Sequence, residues 1–411
     1  MENYKILNVT RDIRWIGILD DSIVTFDIVM ETKYGTTYNS FFIDADKKAI
    51  VETAKESFKD AYLNKIRKVT DPKDISYIIM NHTEPDHSGC LKALLELAPQ
   101  AVVYGSRQAI TYLQDIVDRT FSFCYVKDGD TLSLGNKTLR FINAPNLHWP
   151  DSIYTYAEED KVLFTCDSFG AHFCHPDMFD DAVGDYSDSF KYYFDVILKP
   201  FSQFMVKAIE KIKPLDMQCI CPGHGPILRT RWKEIVALTE RYAEQYIADS
   251  LCEDNQVLIA YVSAYGFTKQ MAETIAEGIK EISGFRVMLA DIENMLPGDL
   301  EELIVKSKSI LIGSPTINQN TLLPVYKMFA LINPIRDRGK KAAAFGSYGW
   351  SGEAVKLIEN HLKALKLNVV MEGLVNKFSP DSKKHEQVLE FGRTFARHIQ
   401  GETKLSLHAL P

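Results

Sequence analysis

Apolar and polar residues follow two rhythms along this chain. Ile13-Arg14-Trp15-Ile16-Gly17-Ile18-Leu19 and Thr37-Tyr38-Asn39-Ser40-Phe41-Phe42-Ile43-Asp44 read as half-buried strands, and Lys48-Ala49-Ile50-Val51 continues them. A helical spacing follows over residues 54–66. The apolar run Ile75-Ser76-Tyr77-Ile78-Ile79-Met80 predicts a buried strand. Leu91, Leu94, Leu95 and Leu97 predict a helix over 90–97, and a second is expected over 108–117. Further strands are expected at 102–104, 138–143, 152–156, 161–165 and 217–221, then a long helix over 232–247. Strands alternating with helices, with polar clusters at the strand ends, predict α/β layers.

Polar Cys252-Glu253-Asp254-Asn255-Gln256 separates this part from a second. The expected domains are 1–251 and 255–400. The second opens on Val257-Leu258-Ile259-Ala260-Tyr261-Val262, an apolar run suited to a central parallel strand. Helices over 269–281, 324–331 and 353–365 alternate with strands over 286–289, 309–313, 341–345 and 368–370. This is the pattern of one doubly wound sheet. No internal repeat interrupts it.

Composition narrows the classes. A chain of 411 residues exceeds one usual core, which agrees with two domains. The net charge of −8 and the lack of a basic run exclude a nucleic-acid surface as the main function. No apolar run approaches the roughly 20 residues that span a bilayer. Met1-Glu2-Asn3-Tyr4-Lys5 lacks the features of a signal peptide, so a cytoplasmic protein is expected. The cysteines at 90, 124, 166, 174, 219, 221 and 252 form no C-x-x-C pair and read as reduced thiols.

The chemistry concentrates at His82-Thr83-Glu84-Pro85-Asp86-His87, where four potential metal ligands follow a buried strand within six residues. His148, Asp167 and His224 each lie just beyond the end of another apolar strand, where such folds assemble sites on a rigid frame. This ordered set resembles the metallo-β-lactamase fold: the H-x-[HE]-x-D-H ladder, a distant His, a distant Asp after a strand, and a Gly-His-Gly histidine. That resemblance implies an αββα sandwich. Hydrolases of this fold usually carry His at the ladder's second position and bind zinc. Glu84 stands there instead, giving three histidines (82, 148, 224) and three carboxylates (84, 86, 167). Hard anionic oxygens and imidazoles suit a pair of irons, and a shared carboxylate can bridge them. Zinc and manganese remain open on ligand type alone.

Ser263-Ala264-Tyr265-Gly266-Phe267-Thr268 joins a buried strand to a helix and forms an anion cradle suited to a phosphate. It lacks both the P-loop ending and G-x-G-x-x-G, which favours a mononucleotide. Ser314-Pro315-Thr316-Ile317-Asn318 and Ser347-Tyr348-Gly349-Trp350-Ser351-Gly352 follow the third and fourth strands. Small residues let the backbone approach a flat ring, and Tyr348 or Trp350 can stack on it. The three loops resemble those of flavodoxin, with FMN at the switch point, although Phe267 departs from the small polar residue often found there.

Together the two halves resemble a flavodiiron protein of the minimal two-domain type. The resemblance implies an oxidoreductase that reduces O2 to water, or NO to nitrous oxide, with FMN feeding two irons. It implies His82, Glu84 and His148 on one iron, Asp86 and His224 on the other, and Asp167 bridging. His87 is expected beside the centre, with a water in its place on iron, and His172 and Tyr193 as donors to bound substrate. It further implies a head-to-tail homodimer, or a tetramer built from it, that brings the FMN of one subunit to the irons of the other, with Trp350 near that contact. No C-terminal C-x-x-C pairs and no NAD fingerprint are present, so the electron donor is expected in trans: rubredoxin, or reduced coenzyme F420 by analogy with methanogen relatives. Two alternatives stand beside this reading: a zinc-dependent hydrolase fused to a flavodoxin domain, which metal analysis would reveal, and a flavoprotein electron carrier or redox sensor, which turnover would exclude.

Overall fold

The computed structural model describes residues 3–26, 30–250, 255–282, 284–380 and 382–400. The chain divides into two compact units with the boundary between Tyr246 and Ile247, inside the helix Trp232–Ser250. Most of the expected linker at 252–256 lies outside the described residues; Gln256 already begins a strand. Among the described residues no helix is long and apolar enough to cross a membrane. Six of the seven cysteines are described and all are free; Cys252 lies outside.

The first unit is an αββα sandwich. One sheet has seven strands in the order Leu7–Asn8, Ile13–Trp15, Phe41–Ile43, Lys48–Val51, Ile75–Ile79, Val102–Gly105 and Ser122–Tyr125. The other has five, in the order Thr131–Ser133, Thr138–Asn143, Ile153–Ala157, Val162–Cys166 and Cys219–Pro222. Trp15, Phe41 and Val51 of the first sheet share one core with Phe141, Phe164 and Cys221 of the second. Alternate residues of the same strands, such as Ile50, Ile78 and Val103, face the helices Lys59–Val69, Leu91–Leu97 and Arg107–Val117. This division of side chains between two faces follows from the period of two in a strand.

Two expected strands are each broken. Residues 13–19 form Ile13–Trp15 and Ile18–Asp20 in different sheets, and 37–44 likewise divide into Thr36–Tyr38 and Phe41–Ile43. The break comes at Gly17, where a Cβ would collide with the Tyr38 carbonyl, so the crossing needs glycine. Lys65 Nζ donates to the Gly17 carbonyl at 2.5 Å and lies 4.3 Å from the Trp15 ring centre, holding the bend in a buried setting. Asn39, at the other break, accepts from Trp15 Nε1 at 2.9 Å and donates to the carbonyls of Pro222 (2.8 Å) and Gly225 (3.0 Å). The loop that carries His224 is thereby pinned to the opposite sheet.

The second unit is a parallel doubly wound sheet. Its strands Gln256–Tyr261, Arg286–Asp291, Ser309–Gly313, Lys341–Tyr348 and Asn368–Val369 lie in the spatial order second, first, third, fourth, fifth. The chain's switch point therefore falls between the first and third strands, where such folds bind ligands. The fourth strand runs three residues beyond its expected end, through Gly346 to Tyr348, because Leu374–Lys377 pairs with it there. That short strand, and the helix Ser382–Gln400, were not among the expected elements.

The helices Phe267–Glu281 and Ser382–Gln400 approach closely at two glycines. A Cβ on Gly278 would meet the Leu389 carbonyl, and one on Gly392 the Ile275 carbonyl. Gly392→Ala gains about 1 kcal/mol of helix propensity, yet overpacking costs about 1–3 kcal/mol. The substitution is expected to lower the unfolding midpoint of the second unit, measured by thermal denaturation followed by circular dichroism.

Candidate metal centre and flavin cradle

The ladder leaves strand Ile75–Ile79 and turns at once into the short helix Pro85–Ser88, which Pro85 starts. His82 and Glu84 stay on the extended segment, while Asp86 and His87 sit on the helical turn. The ladder thus feeds two donor groups. In the first, His82 Nε2 lies 3.3 Å from Glu84 Oε2, His148 Nε2 lies 2.9 Å from the same oxygen, and Asp167 Oδ2 is 3.4 Å from His82 and 3.5 Å from His148. In the second, His224 Nε2 lies 3.1 Å from Asp86 Oδ2 and 3.4 Å from Asp167 Oδ1. Asp167 offers a different oxygen to each group. All six expected ligands are therefore brought together, with only Glu84 and His148 partly exposed.

The second group holds one donor more than expected. His87 Nε2 lies 3.4 Å from Asp86 Oδ2 and 3.1 Å from Asp167 Oδ1, so the ring faces the same carboxylates as His224. A Cβ on Gly223 would meet its ring, so the loop before His224 leaves room for it.

These polar atoms crowd together without satisfying one another. Both oxygens of Asp86, His87 Nε2 and Asp167 Oδ2 are buried and make no hydrogen bond, despite neighbours near 3 Å. Buried polar groups are normally paired, so lone pairs that converge on shared points fit metal ions better than they fit each other. Without metal the charges answer only to their neighbours. Burial works against charge on His224, but Asp167 and Asp86 overrule it and raise the imidazole to about 10. Asp151 and Glu84 likewise hold His82 well above its ordinary value against burial. Asp167 is driven well below the carboxylate range by His87 and His224, again against burial.

Asp151, Thr37 and Phe26 were not expected at the centre from the sequence, whereas His172 and Tyr193 were. Asp151, wholly buried, lies 3.2 and 3.3 Å from His82 Nδ1 and accepts from Thr83 N and Oγ1, both at 2.8 Å. It fixes the imidazole so that Nε2 faces the centre. His224 Nδ1 is held by the Thr37 carbonyl at 2.5 Å. Tyr193 ends the helix Ser187–Tyr193, before a π-helical turn over Phe194–Leu198, and its hydroxyl donates to Asp167 Oδ1 at 3.2 Å. His172 meets Tyr193 and His224 edge to face, with ring centres 4.8 and 5.3 Å away. Its Nδ1 faces Thr36 Oγ1 at 2.8 Å and its buried Nε2 has no hydrogen bond. Burial, and then the charge on His224, lower His172 to about 3, so it stays neutral. Phe26 covers both rings, 4.5 Å from His172 and 5.4 Å from His224.

In the second unit the three expected loops lie at the ends of adjacent parallel strands. Ala264, Tyr265 and Gly266 are exposed before the helix that begins at Phe267, and Gly266 takes a φ of 84°. The first turn of that helix has N–H groups without carbonyl partners inside the helix, which suits an anion. The Thr268 hydroxyl is buried and bonded to Ser347 Oγ at 2.8 Å, tying the first loop to the third. Ser263 Oγ accepts from Lys269 N at 3.2 Å. Ser314 is buried, Thr316 N donates to the Ser347 carbonyl at 2.8 Å, and Asn318 and Gln319 turn the second loop in the left-handed region. A Cβ on Gly346 would meet the Ser314 carbonyl, so the loops meet backbone to backbone. Tyr265 and Trp350 stand 80% and 76% exposed, apolar surface available to a flat ring. Phe378 was not anticipated: φ is 58°, and its ring lies against Gly349 and 6.2 Å from that of Phe267.

The fold and the site define a metallo-β-lactamase-like unit with a binuclear donor set, joined in one chain to a flavodoxin-like unit. Residues 36–225 match the ODP family beta lactamase, and residues 259–392 match flavodoxin. The flavo-diiron protein FprA2 of Clostridium acetobutylicum is 41% identical over 390 residues, covering 93% of this chain and 97% of that protein. A nitric oxide reductase of Moorella thermoacetica is 34% identical, covering 95% and 98%. The rubredoxin oxygen:oxidoreductase of Desulfovibrio gigas superposes with a TM-score of 0.67 at 27% identity, covering 97% of this chain and 100% of that one. The chain belongs to the flavodiiron proteins, oxidoreductases that carry FMN and a non-haem diiron site.

Two outcomes follow. Outer-shell partners of metal ligands are worth about 10–100-fold in metal affinity, so Asp151→Asn is expected to weaken iron binding by about that factor in an anaerobic titration. Metal takes neutral imidazole, whereas the metal-free fold keeps His82 and His224 protonated at neutral pH. Loading should therefore release protons, and affinity should rise with pH toward about 10, the His224 value. Calorimetry in buffers of different ionisation enthalpy measures that release.

Proposed function

We propose that this chain reduces O2 to water, NO to nitrous oxide, or both, in the cytoplasm, at a diiron centre in residues 1–251 fed by FMN in residues 255–400. The observation that carries the reading is the pair of donor groups sharing Asp167, with Glu84 at the ladder position where zinc hydrolases have His. Mixed imidazole and carboxylate donors suit iron, and two hard anionic oxygens favour its ferric form. The Moorella relative is a nitric oxide reductase and the Desulfovibrio relative a rubredoxin oxygen:oxidoreductase, and we carry both substrates to this chain. O2 takes up four electrons and four protons to give two waters. Two NO take up two electrons and two protons to give nitrous oxide and water.

His82, Glu84 and His148 would hold one iron, Asp86 and His224 the other, with Asp167 between them. When bound, FMN supplies electrons that can move singly, and the iron pair supplies the redox-active binding surface. The protein's part is positional. Asp151 keeps the proton of His82 on Nδ1, and the Thr37 carbonyl does the same for His224. Tyr193 steadies Asp167 through its hydroxyl. Neutral His172 faces Thr36 Oγ1 through Nδ1 and leaves Nε2 without a partner; in the tautomer with the proton on Nε2 it is a donor to substrate beside the centre. Phe26 packs against this ring, which also lines a pocket with Tyr34, Ser189 and Tyr192. The flavin ring would lie among Thr316, Asn318, Tyr348 and Trp350, with its phosphate at Ser263–Thr268.

We assign the electron donor to a rubredoxin-type protein in trans, with reduced F420 as the second choice. The working unit is a head-to-tail homodimer, which brings FMN of one subunit to the irons of its partner. The test is anaerobic consumption of O2 and of NO by the FMN- and iron-loaded protein, side by side. At least one gas is expected to be consumed by the dimer and neither by a dissociated monomer. A folded monomer with full turnover would contradict the dimer, and a protein that holds two zinc ions and turns over neither gas would favour the hydrolase alternative.

A further inference from the structure

Glu52 belongs to neither of the two groups that share Asp167, yet it is built into their frame. It ends strand Lys48–Val51 with a φ of 60°, a left-handed conformation that is costly for a residue with a Cβ. The residue is 2% exposed. One oxygen, Oε1, accepts from the backbone N–H of Asn81 at 2.5 Å and of His82 at 3.2 Å, at the start of the ladder. The next residue grips the ladder's other end: Thr53 donates to the His87 carbonyl through N, at 2.9 Å, and through Oγ1. The second oxygen, Oε2, is buried and has no hydrogen bond. It lies 3.7 Å from His87 Nδ1.

The same nitrogen also lies 3.8 Å from Cys166 Sγ. A carboxylate is a far stronger acceptor than a thiol, and Oε2 lies only about 0.5 Å beyond hydrogen-bond length. The opposite nitrogen, Nε2, already faces Asp86 and Asp167 without a hydrogen bond. Only one tautomer satisfies both ends: the proton on Nδ1 toward Glu52 and the lone pair on Nε2 toward the centre.

We infer that Glu52 is a positioning residue for the diiron centre: its free oxygen receives the His87 Nδ1 proton and so commits His87 Nε2 to the iron held by Asp86 and His224. The inference rests on the diiron reading and deepens it, because it replaces the water expected at that iron with a protein ligand whose orientation is set from behind. Glu52 lies outside the two groups that share Asp167 and acts through His87.

The test is Mössbauer spectroscopy of the full chain loaded with FMN and isotopically enriched iron. Wild type is expected to show two iron environments in equal amounts. Glu52→Gln keeps an oxygen for the backbone amides but presents an amide to Nδ1, and it should alter one environment while leaving the other unchanged. His87→Ala should alter the same environment, and the double variant should match His87→Ala alone. Glu52→Asp, which retains the carboxylate, is the companion should the glutamine variant fail to fold, and should shift that same environment by less than His87→Ala does. A Glu52→Gln spectrum identical to wild type overturns the inference, as does a His87→Ala spectrum identical to wild type. Equal disturbance of both irons by either Glu52 variant also overturns it, since that marks a purely structural role. A wild-type protein that binds no iron pair overturns the diiron reading and this inference with it.

Discussion

Asp167 is the constraint on which the first unit depends. Its two oxygens face two separate donor groups, and it is buried where only counter-charge makes an ionised carboxylate tolerable. It follows a strand that ends in Cys166 at a φ of 50°, so the backbone turns sharply to deliver the side chain between the ligands. Tyr193 holds it from one side, and the histidines surround it from the others. Everything else in the sandwich serves to bring separated strand ends to this residue: the ladder from one sheet, His148 and His224 from loops of the other, and Asn39 stitching the two together.

The second unit is built on a complementary constraint. Its loops must approach a flat cofactor closely, and the residues that allow this are small or turned into the left-handed region. Gly266 opens the first loop, Asn318 and Gln319 turn the second, and Gly346 lets the strand before the third lie against Ser314. The Thr268–Ser347 hydrogen bond fixes the spacing of two of these loops before any cofactor arrives. Preorganisation of this kind lowers the ordering cost of binding.

The sequence made the ligands legible because they cluster at strand ends. The ladder follows a plain apolar strand, and Asp167 and His224 follow two more. The supporting residues were not legible because nothing local marks them. Asp151 is one carboxylate after Trp149-Pro150, and its importance lies in a partner 69 positions away. Glu52 reads as a polar residue closing a strand; only the fold brings its oxygens to Asn81, His82 and His87. The two broken strands misled because periodicity does not report a sheet change at Gly17. The helix Ser187–Tyr193 and its π turn mix aromatic and acidic residues too evenly for a helical stripe. The helix Ser382–Gln400 does carry one, at Val388, Phe391, Phe395 and Ala396, and its packing on Gly278 explains its place.

The position of His87 is the point at which the structure adds most to the resemblance. Its buried imidazole faces Asp86 and Asp167 on one side and has the Glu52 carboxylate behind it. The two iron sites would then differ in exposure, one partly open at Glu84 and His148, the other enclosed by Asp86, His87 and His224. The central claim, that two redox metals share Asp167, is tested most directly by X-ray diffraction from crystals of the iron-loaded protein, collected on both sides of the iron absorption edge. The account predicts two anomalous iron peaks, one among His82, Glu84 and His148 and one among Asp86, His87 and His224, each on a different oxygen of Asp167. A single peak, or two peaks that respond at the zinc edge and not at the iron edge, would contradict it.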